Sequence, residues 1–337
     1  MKLIARTPNR IDLSGGTLDI YPLYVFMNGG MTLNAAIDMY SEVTLETQSD
    51  DGFVFYSQDL DLTKNVSRQS LLEDDFEGDF FQLLIETVKF YLPHTGLKVT
   101  TYNQAPKGSG LGASSALLIA LSGALNHLNS DYLAGEKLIE YGANLEALSL
   151  GIPTGKQDYF PAVYGGVNAL HFSARGIRRE PLRISADFLA ELNASLIISF
   201  SGQSHFSGTN NWSMMKRYID NEGETRAYLK RIKATSTEMR ESLIQADLPQ
   251  ICRLIATEWE NRKALAEGVT TPEIESMMAA AQAEGAKASK ICGAGGGGCM
   301  ITLCSPSDKD SVKAALSHAG ASILEHQITL QGLGFSQ

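Results

Sequence analysis

PKGSGLGASSALLIALSGALNHL, residues 106–128, is the stretch that decides the fold. From Ser114 to Leu128 it is apolar almost all the way round, which marks a helix enclosed by the rest of the protein and not one lying on its surface. A glycine-rich turn runs straight into the amino end of that helix. Gly108, Gly110 and Gly112 let the backbone turn with its amides facing inward, and the first helical turn adds unpaired N–H donors and about half a positive charge. The combination predicts a cradle for a polyphosphate, in which a side chain at Gly110 or Gly112 would take the phosphate's space. No Gly-Lys-Ser/Thr closes the turn, so it is not a Walker loop, and it is not a GxGxxG dinucleotide fingerprint. Ser114 and Ser115 are placed to cap the helix, and one hydroxyl could also reach a magnesium ion. A tight turn with ordinary caps would have the same residues.

Three other segments carry chemistry. KICGAGGGGCMITL, residues 290–303, holds Gly293 and then Gly295 to Gly298 between two strand-like halves. Each glycine costs backbone entropy, so the run predicts close approach to another segment or to a ligand, with a plain hairpin loop as the alternative. In GIPTGKQDYF, residues 151–160, Asp158 follows a Gly-Lys-Gln turn and could orient a substrate hydroxyl and take its proton. Glu146, on the preceding helical stretch, is within reach of a magnesium ion, and Lys156 could offset charge on a transferring phosphoryl group. Taken singly, each of these three residue types is more often a solvated surface charge. In RTPNRIDLSGGTLDIYPLY, residues 6–24, the Gly15-Gly16 turn presents Asp19 just before Tyr21, an arrangement suited to vicinal hydroxyls, and Arg10 could position a base or bind phosphate.

The whole chain sets the limits. Its 337 residues favour two domains or one large one, and 28 basic against 38 acidic residues leave a net charge of −10, which opposes generic attraction to nucleic acid or an anionic membrane. Four cysteines fall in no CxxC pair and six histidines form no metal-ligand spacing, so neither a zinc site nor a disulfide framework is expected. The early apolar run is broken by Arg6, Pro8 and Asp12, and nowhere do eighteen apolar residues run together; a cytoplasmic protein with no export signal and no membrane span is the expectation. Short strands and turns are predicted over 2–57, helices over 79–92 and 133–150, and strands at 97–102, 166–172 and 194–200. Helices are predicted over 211–246, 248–267 and 272–284, with a connector at the charged stretch 175–190.

In this order and spacing, RIDLSGGTLD, GLGASSA, LEALSLGIPTGKQD and GAGGGGC resemble the GHMP kinase superfamily over almost the whole chain, and within it the branch of heptose 7-phosphate kinase-like sugar kinases. The resemblance implies an α+β fold of two domains: a ribosomal-S5-like, ATP-binding domain over 1–180 and a ferredoxin-like domain over 181–337. It implies ATP and Mg2+ as cofactors and phosphorylation of a hydroxyl, the anomeric one, of a small sugar or sugar phosphate. The phosphate site would be Lys107, Gly108, Ser109, Gly110, Leu111, Gly112, Ala113, Ser114 and Ser115, with Ser114 and Glu146 on the metal. Asp158 would be the base, with Arg10 and Lys156 beside it; Asp19, Gly15 and Gly16 would meet the sugar, and Gly295 and Gly296 would shape its side of the site. One departure bears on the substrate: heptose phosphate kinases carry an arginine where SFSGQSHFSGTNN has His205, and a doubly charged phosphate favours a lasting cation. Ser201, Ser204, Ser207, Thr209, Asn210 and Asn211 offer neutral groups for hydroxyls instead. Two alternatives stand beside the sugar kinase: a mevalonate-pathway kinase or decarboxylase, and a sensor that binds sugar and ATP without catalysis.

Overall fold

A computed structural model describes residues 1–130, 133–203 and 207–337, the side chains of 207–210 excepted. The chain runs β1 (Lys2–Ser14), α1 (Leu23–Phe26), β2 (Gly30–Thr47), β3 (Phe53–Ser57), β4 (Leu62–Val66), α2 (Arg68–Glu73), α3 (Gln82–Tyr91), β5 (Leu97–Asn103), α4 (Ala113–Asn129), α5 (Gly135–Leu150), α6 (Tyr159–Tyr164), β6 (Val167–Ser173) and β7 (Gly176–Pro181). It continues α7 (Ala186–Ser195), β8 (Leu196–Phe200), α8 (Ser207–Ile219), α9 (Thr225–Ile244), α10 (Leu248–Lys263), α11 (Pro272–Ala283), β9 (Ala286–Ile291), β10 (Cys299–Cys304), α12 (Lys309–His318), β11 (Ser322–Leu324) and β12 (Gly334–Ser336). Among the described residues no helix is long and apolar enough to cross a membrane.

The strands predicted as short over 2–57 are long. β2 has 18 residues; its first eight are all buried and the rest alternate, so only its second half shows the period-two signal of a sheet with one wet face. β1 lies antiparallel along one edge of β2, and the other edge is shared between β6 over Gly30–Ala35 and β5 over Ser41–Thr47. β3 joins β5 in parallel, with β4 outside it. The second sheet has the order β11-β8-β10-β9, every pair antiparallel, with α8 to α11 connecting β8 to β9 and α12 connecting β10 to β11. That is the β-α-β-β-α-β ferredoxin-like arrangement. One core cluster spans both halves, bringing Ile11 and Leu33 against Leu192, Ile198 and Ile301.

Two expectations change, the connector and the single helix over 211–246. The connector at 175–190 holds the strand β7, paired to β6, and then α7, whose N-cap Ser185 accepts from the Phe188 amide; charges on an edge strand read like a linker in sequence. The expected boundary at 180 falls at the end of β7, and β12 pairs with β1, so the chain's last strand lies with the amino-terminal sheet. The predicted helix over 211–246 is two helices, interrupted where Asn221 and Gly223 adopt φ of 54° and 55°. The enclosed helix read from sequence is α4, packed against β1, β2, α3, α5 and α6, with Leu118 to Leu125 all buried.

Candidate active site

The amino end of α4 opens into a cavity of about 440 Å³. Arg10 reaches it from β1, Asp19 from the turn before α1, Glu146 from α5, Asp158 from the start of α6, and Gly293 and Ala294 from the loop between β9 and β10. A larger open groove at 64–79, about 880 Å³, is lined by Glu73, Asp74, Asp75, Glu77 and Asp79 and holds none of these groups. Its negative charge opposes a polyphosphate.

Asp158 and Arg10 form a fixed pair. The Arg10 Nε and Nη2 atoms lie 2.8 and 2.7 Å from Asp158 Oδ1, and Nη1 donates to the Gly110 carbonyl. Arg10 is 4% exposed; burial works against its charge, but Asp158 and Asp12 more than offset that and raise its pKa. One oxygen of Asp158 is thereby committed, while Oδ2 lies beside Gly112. Asp19 is 2% exposed and accepts from the Gln157 amide at 3.0 Å, which ties the turn to the residue just before Asp158. Burial first, and then the charge of Asp158, push its carboxyl up to about 6.

The two glycine loops are packed on each other. Gly108, Gly110 and Gly112 have φ of 69°, 69° and 74°, the left-handed region where glycine carries no penalty. A Cβ on Gly110 would stand 2.5 Å from the Cys292 carbonyl oxygen and one on Gly112 would stand 3.1 Å from Asp158. Their bareness serves the packing of the two loops and of Asp158 against the cradle. The Ser109 carbonyl accepts from the Cys299 amide at 2.6 Å, closing the contact between the loops. Leu111 is buried, its carbonyl bonded to the Arg10 amide, and Ala113 opens α4.

Ser114 and Ser115 do not cap α4, whose N-cap is Gly112 with no side-chain bond. Instead the Ser114 hydroxyl donates to Glu146 Oε1 at 2.9 Å, Ser115 lies 3.4 Å from the same oxygen, and the buried Tyr159 hydroxyl donates to Oε2. Burial pushes the Glu146 carboxyl up, against the hydrogen bonds from Tyr159 and Ser114. Among the described residues no three His, Cys, Asp or Glu side chains group to hold a metal. Ser114 and Glu146 are hard oxygen donors, a set that fits magnesium, which takes few protein ligands and completes its shell with phosphates and water.

Several expected residues lie off the cavity. Lys156 does not line it; its charge acts on Glu140, whose carboxyl is held low by Lys137 first and by Lys156 in smaller part. Gly15 packs against the Met31 carbonyl and Ser236, and Gly16 against Arg262 and Asp12. Gly295 abuts Val269, and the Gly296 amide donates to the Val269 carbonyl at 2.7 Å. These four glycines build the loops that carry Asp19 and Gly293 and are not part of the cavity lining. Lys107 is exposed at the rim, its Nζ 5.5 Å from the Phe80 ring centroid. Ser204 and His205 lie outside the described residues, as do the side chains of Ser207, Thr209 and Asn210; Asn211 lines the cavity, and the Ser201 hydroxyl accepts from the Gln203 amide.

Sequence reasoning missed two features. The cavity lining includes the apolar side chains of Leu60, Phe80, Leu84, Leu117, Leu150 and Pro153, a slot suited to a flat base. Behind Thr17 and Gly293 lie four fully buried charges, Asp12, Glu258, Arg262 and Lys290. Arg262 Nη2 is 2.9 Å from Glu258 and 3.5 Å from Asp12, and Lys290 Nζ is 3.1 Å from Glu258 and 3.3 Å from Asp12. Burial alone would raise the Asp12 carboxyl, but Lys290 and Arg262 hold it below its ordinary value.

A glycine cradle at a buried helix end, facing an arginine-locked carboxylate, belongs to the class of enzymes that transfer phosphoryl groups between small molecules. Residues 80–166 match the GHMP kinases N terminal domain and residues 239–322 match the GHMP kinases C terminal domain; the chain belongs to the GHMP kinase family and has its two-domain fold. The D-glycero-alpha-D-manno-heptose 7-phosphate kinase of Campylobacter jejuni is 28% identical over 99% of this chain and 98% of its own. A mevalonate kinase of Thermococcus onnurineus is 25% identical over 99% and 98%. The solved structure of a D-glycero-D-manno-heptose 1-phosphate kinase from Bacteroides thetaiotaomicron has a TM-score of 0.79 at 26% identity and covers 99% of each chain.

Proposed function

We propose that this GHMP kinase transfers the γ-phosphoryl group of ATP to the anomeric hydroxyl of a sugar phosphate of the heptose 7-phosphate kind. The observation that carries the reading is the meeting, in one cavity, of the α4 cradle, the Arg10–Asp158 pair and the buried Asp19. The base lies in the apolar slot and the phosphates run along 107–115 toward Asp158. Amides at the α4 amino end and the Lys107 ammonium at the rim meet the phosphate charge. Asp158 Oδ2 orients the acceptor hydroxyl and takes its proton as the new bond forms, while Arg10 keeps the carboxylate from swinging away. Asp19 accepts hydrogen bonds from a neighbouring hydroxyl. Ser114 and Glu146 would hold Mg2+, which when bound neutralises charge on the phosphates.

Residues 1–180, joined by β12, act as the nucleotide-binding part and the rest of 181–337 as its cover, which supplies Gly293, Ala294 and Asn211 to the cavity. The buried Asp19, which can accept from a neighbouring sugar hydroxyl, favours the sugar over a mevalonate-type acceptor. ADP release, assayed with D-glycero-D-manno-heptose 7-phosphate, mannose, galactose and mevalonate, tests the reading. Release driven by the heptose phosphate supports it. Release with mevalonate alone, or ATP binding with no release for any acceptor, overturns it in favour of the mevalonate or sensor alternative.

A further inference from the structure

Thr17 is a β-branched residue at φ 75°, a conformation that side chains branched at Cβ rarely adopt. It is 4% exposed and lines the cavity two residues before Asp19. Such backbone persists where the surroundings over-determine it, and they do so here. The Leu18 amide donates to the Gly15 carbonyl and the Ile20 amide to the Thr17 carbonyl, which fixes the turn. From α10, Arg262 Nη1 donates to Thr17 Oγ1 at 3.4 Å and to the Gly293 carbonyl at 3.0 Å, joining the turn to the second glycine loop. Gly16 is bare where a Cβ would meet that guanidinium.

The bond from Arg262 decides which way the Thr17 hydroxyl faces. With a lone pair occupied by the guanidinium, its hydrogen points elsewhere, and its partner is Met214 Sδ at 3.5 Å, a weak acceptor that an oxygen would displace. Asp19 and Asp158, when ionised, can only accept, whereas a sugar offers oxygens that need a donor beside hydroxyls that need an acceptor. We propose that Thr17 is a specificity-determining residue for the acceptor: its O–H, aimed by Arg262, donates to one sugar oxygen while the adjacent hydroxyl donates to Asp19. Arg262 is the positioning residue. The ligand class is a polyol with vicinal oxygens, and the inference rests on the kinase reading of the cavity.

The test uses the full chain, with D-glycero-D-manno-heptose 7-phosphate as acceptor and KM measured separately for acceptor and ATP. Thr17→Val raises the acceptor KM about tenfold, the scale of one lost hydrogen bond, and leaves the ATP KM within about twofold. Thr17→Ser recovers most of that loss. Thr17→Gly raises the acceptor KM as the valine does, yet melts no lower than the valine variant, because glycine is free at φ 75°. An unchanged acceptor KM in Thr17→Val overturns the proposal, and so does a parallel loss toward both ligands with a lowered Tm, which marks a turn that is only structural. A wild-type chain inactive with every acceptor overturns the kinase reading and this proposal together, an outcome distinct from an active wild type that the valine does not affect.

Discussion

Replacing Asp19 by asparagine should make the protein more stable and a worse enzyme. The carboxyl is held at about 6 against an ordinary 3.8 by burial and by Asp158, while the Gln157 amide works the other way. Because the folded-state value is the higher one, Asp19 favours folding below about pH 4, and that contribution is lost as pH rises through about 6. At neutral pH the buried charge costs about 3 kcal/mol, at about 1.4 kcal/mol for each tenfold. The amide oxygen of Asn can still accept from the Gln157 amide, so the loop carrying Asp158 keeps its anchor. Urea melts at pH 8 should show Asp19→Asn more stable by up to about 3 kcal/mol, and the difference should vanish near pH 4. The specificity constant for the acceptor should fall at least about tenfold while the ATP Kd stays within about threefold, since a charged acceptor has become a neutral one. In the wild type the same constant should decline below about pH 6 as Asp19 takes its proton. A variant less stable at pH 8, with both ligands weakened together, would refute the reasoning and leave Asp19 as a loop anchor.

Asp158→Asn should lower turnover about a hundredfold or more with the ATP Kd nearly unchanged, and wild-type turnover in the purified variant would remove Asp158 as the base. Gly110→Ala should cost about 2 kcal/mol or more in denaturant melts, because its Cβ meets the Cys292 carbonyl, whereas Gly151→Ala, at φ 64° with open space around it, should cost about 1 kcal/mol; equal losses would contradict the packing of the two glycine loops. Arg262→Met leaves two buried carboxylates facing the single ammonium of Lys290 and should destabilise by about 3–5 kcal/mol, and a loss below about 1 kcal/mol would mean that the charges are not desolvated as drawn.

What could be read in the chain was whatever carries its own local signal. The α4 helix announced itself because it is apolar on every side, and the turns before it and before Asp158 were marked by glycines. Ser114 and Asp158 follow those turns, Asp19 follows the Gly15-Gly16 turn, Arg10 and Glu146 stand out on the strand and helix beside them, and the structure brings all five to one cavity. Direction was not legible. Lys156 stands two residues before Asp158 but off the cavity, and Gly15, Gly16, Gly295 and Gly296 spend their bareness on neighbouring backbone and side chains. The apolar slot draws single residues from separate elements, each unremarkable in its own amphipathic context. The buried charges were hidden for a like reason: Glu258 and Arg262 sit four apart on a helix, the spacing of a solvated surface pair, and only the packing of α10 on β9 shows them enclosed.

Phosphorus NMR of the product is the sharpest check on phosphoryl transfer to a sugar hydroxyl at this cavity. With ATP, magnesium and D-glycero-D-manno-heptose 7-phosphate, a new phosphate ester should form on the anomeric carbon in step with ADP and be lost in Asp158→Asn. Inorganic phosphate in place of the ester, or an ester formed equally well by Asp158→Asn, would contradict it.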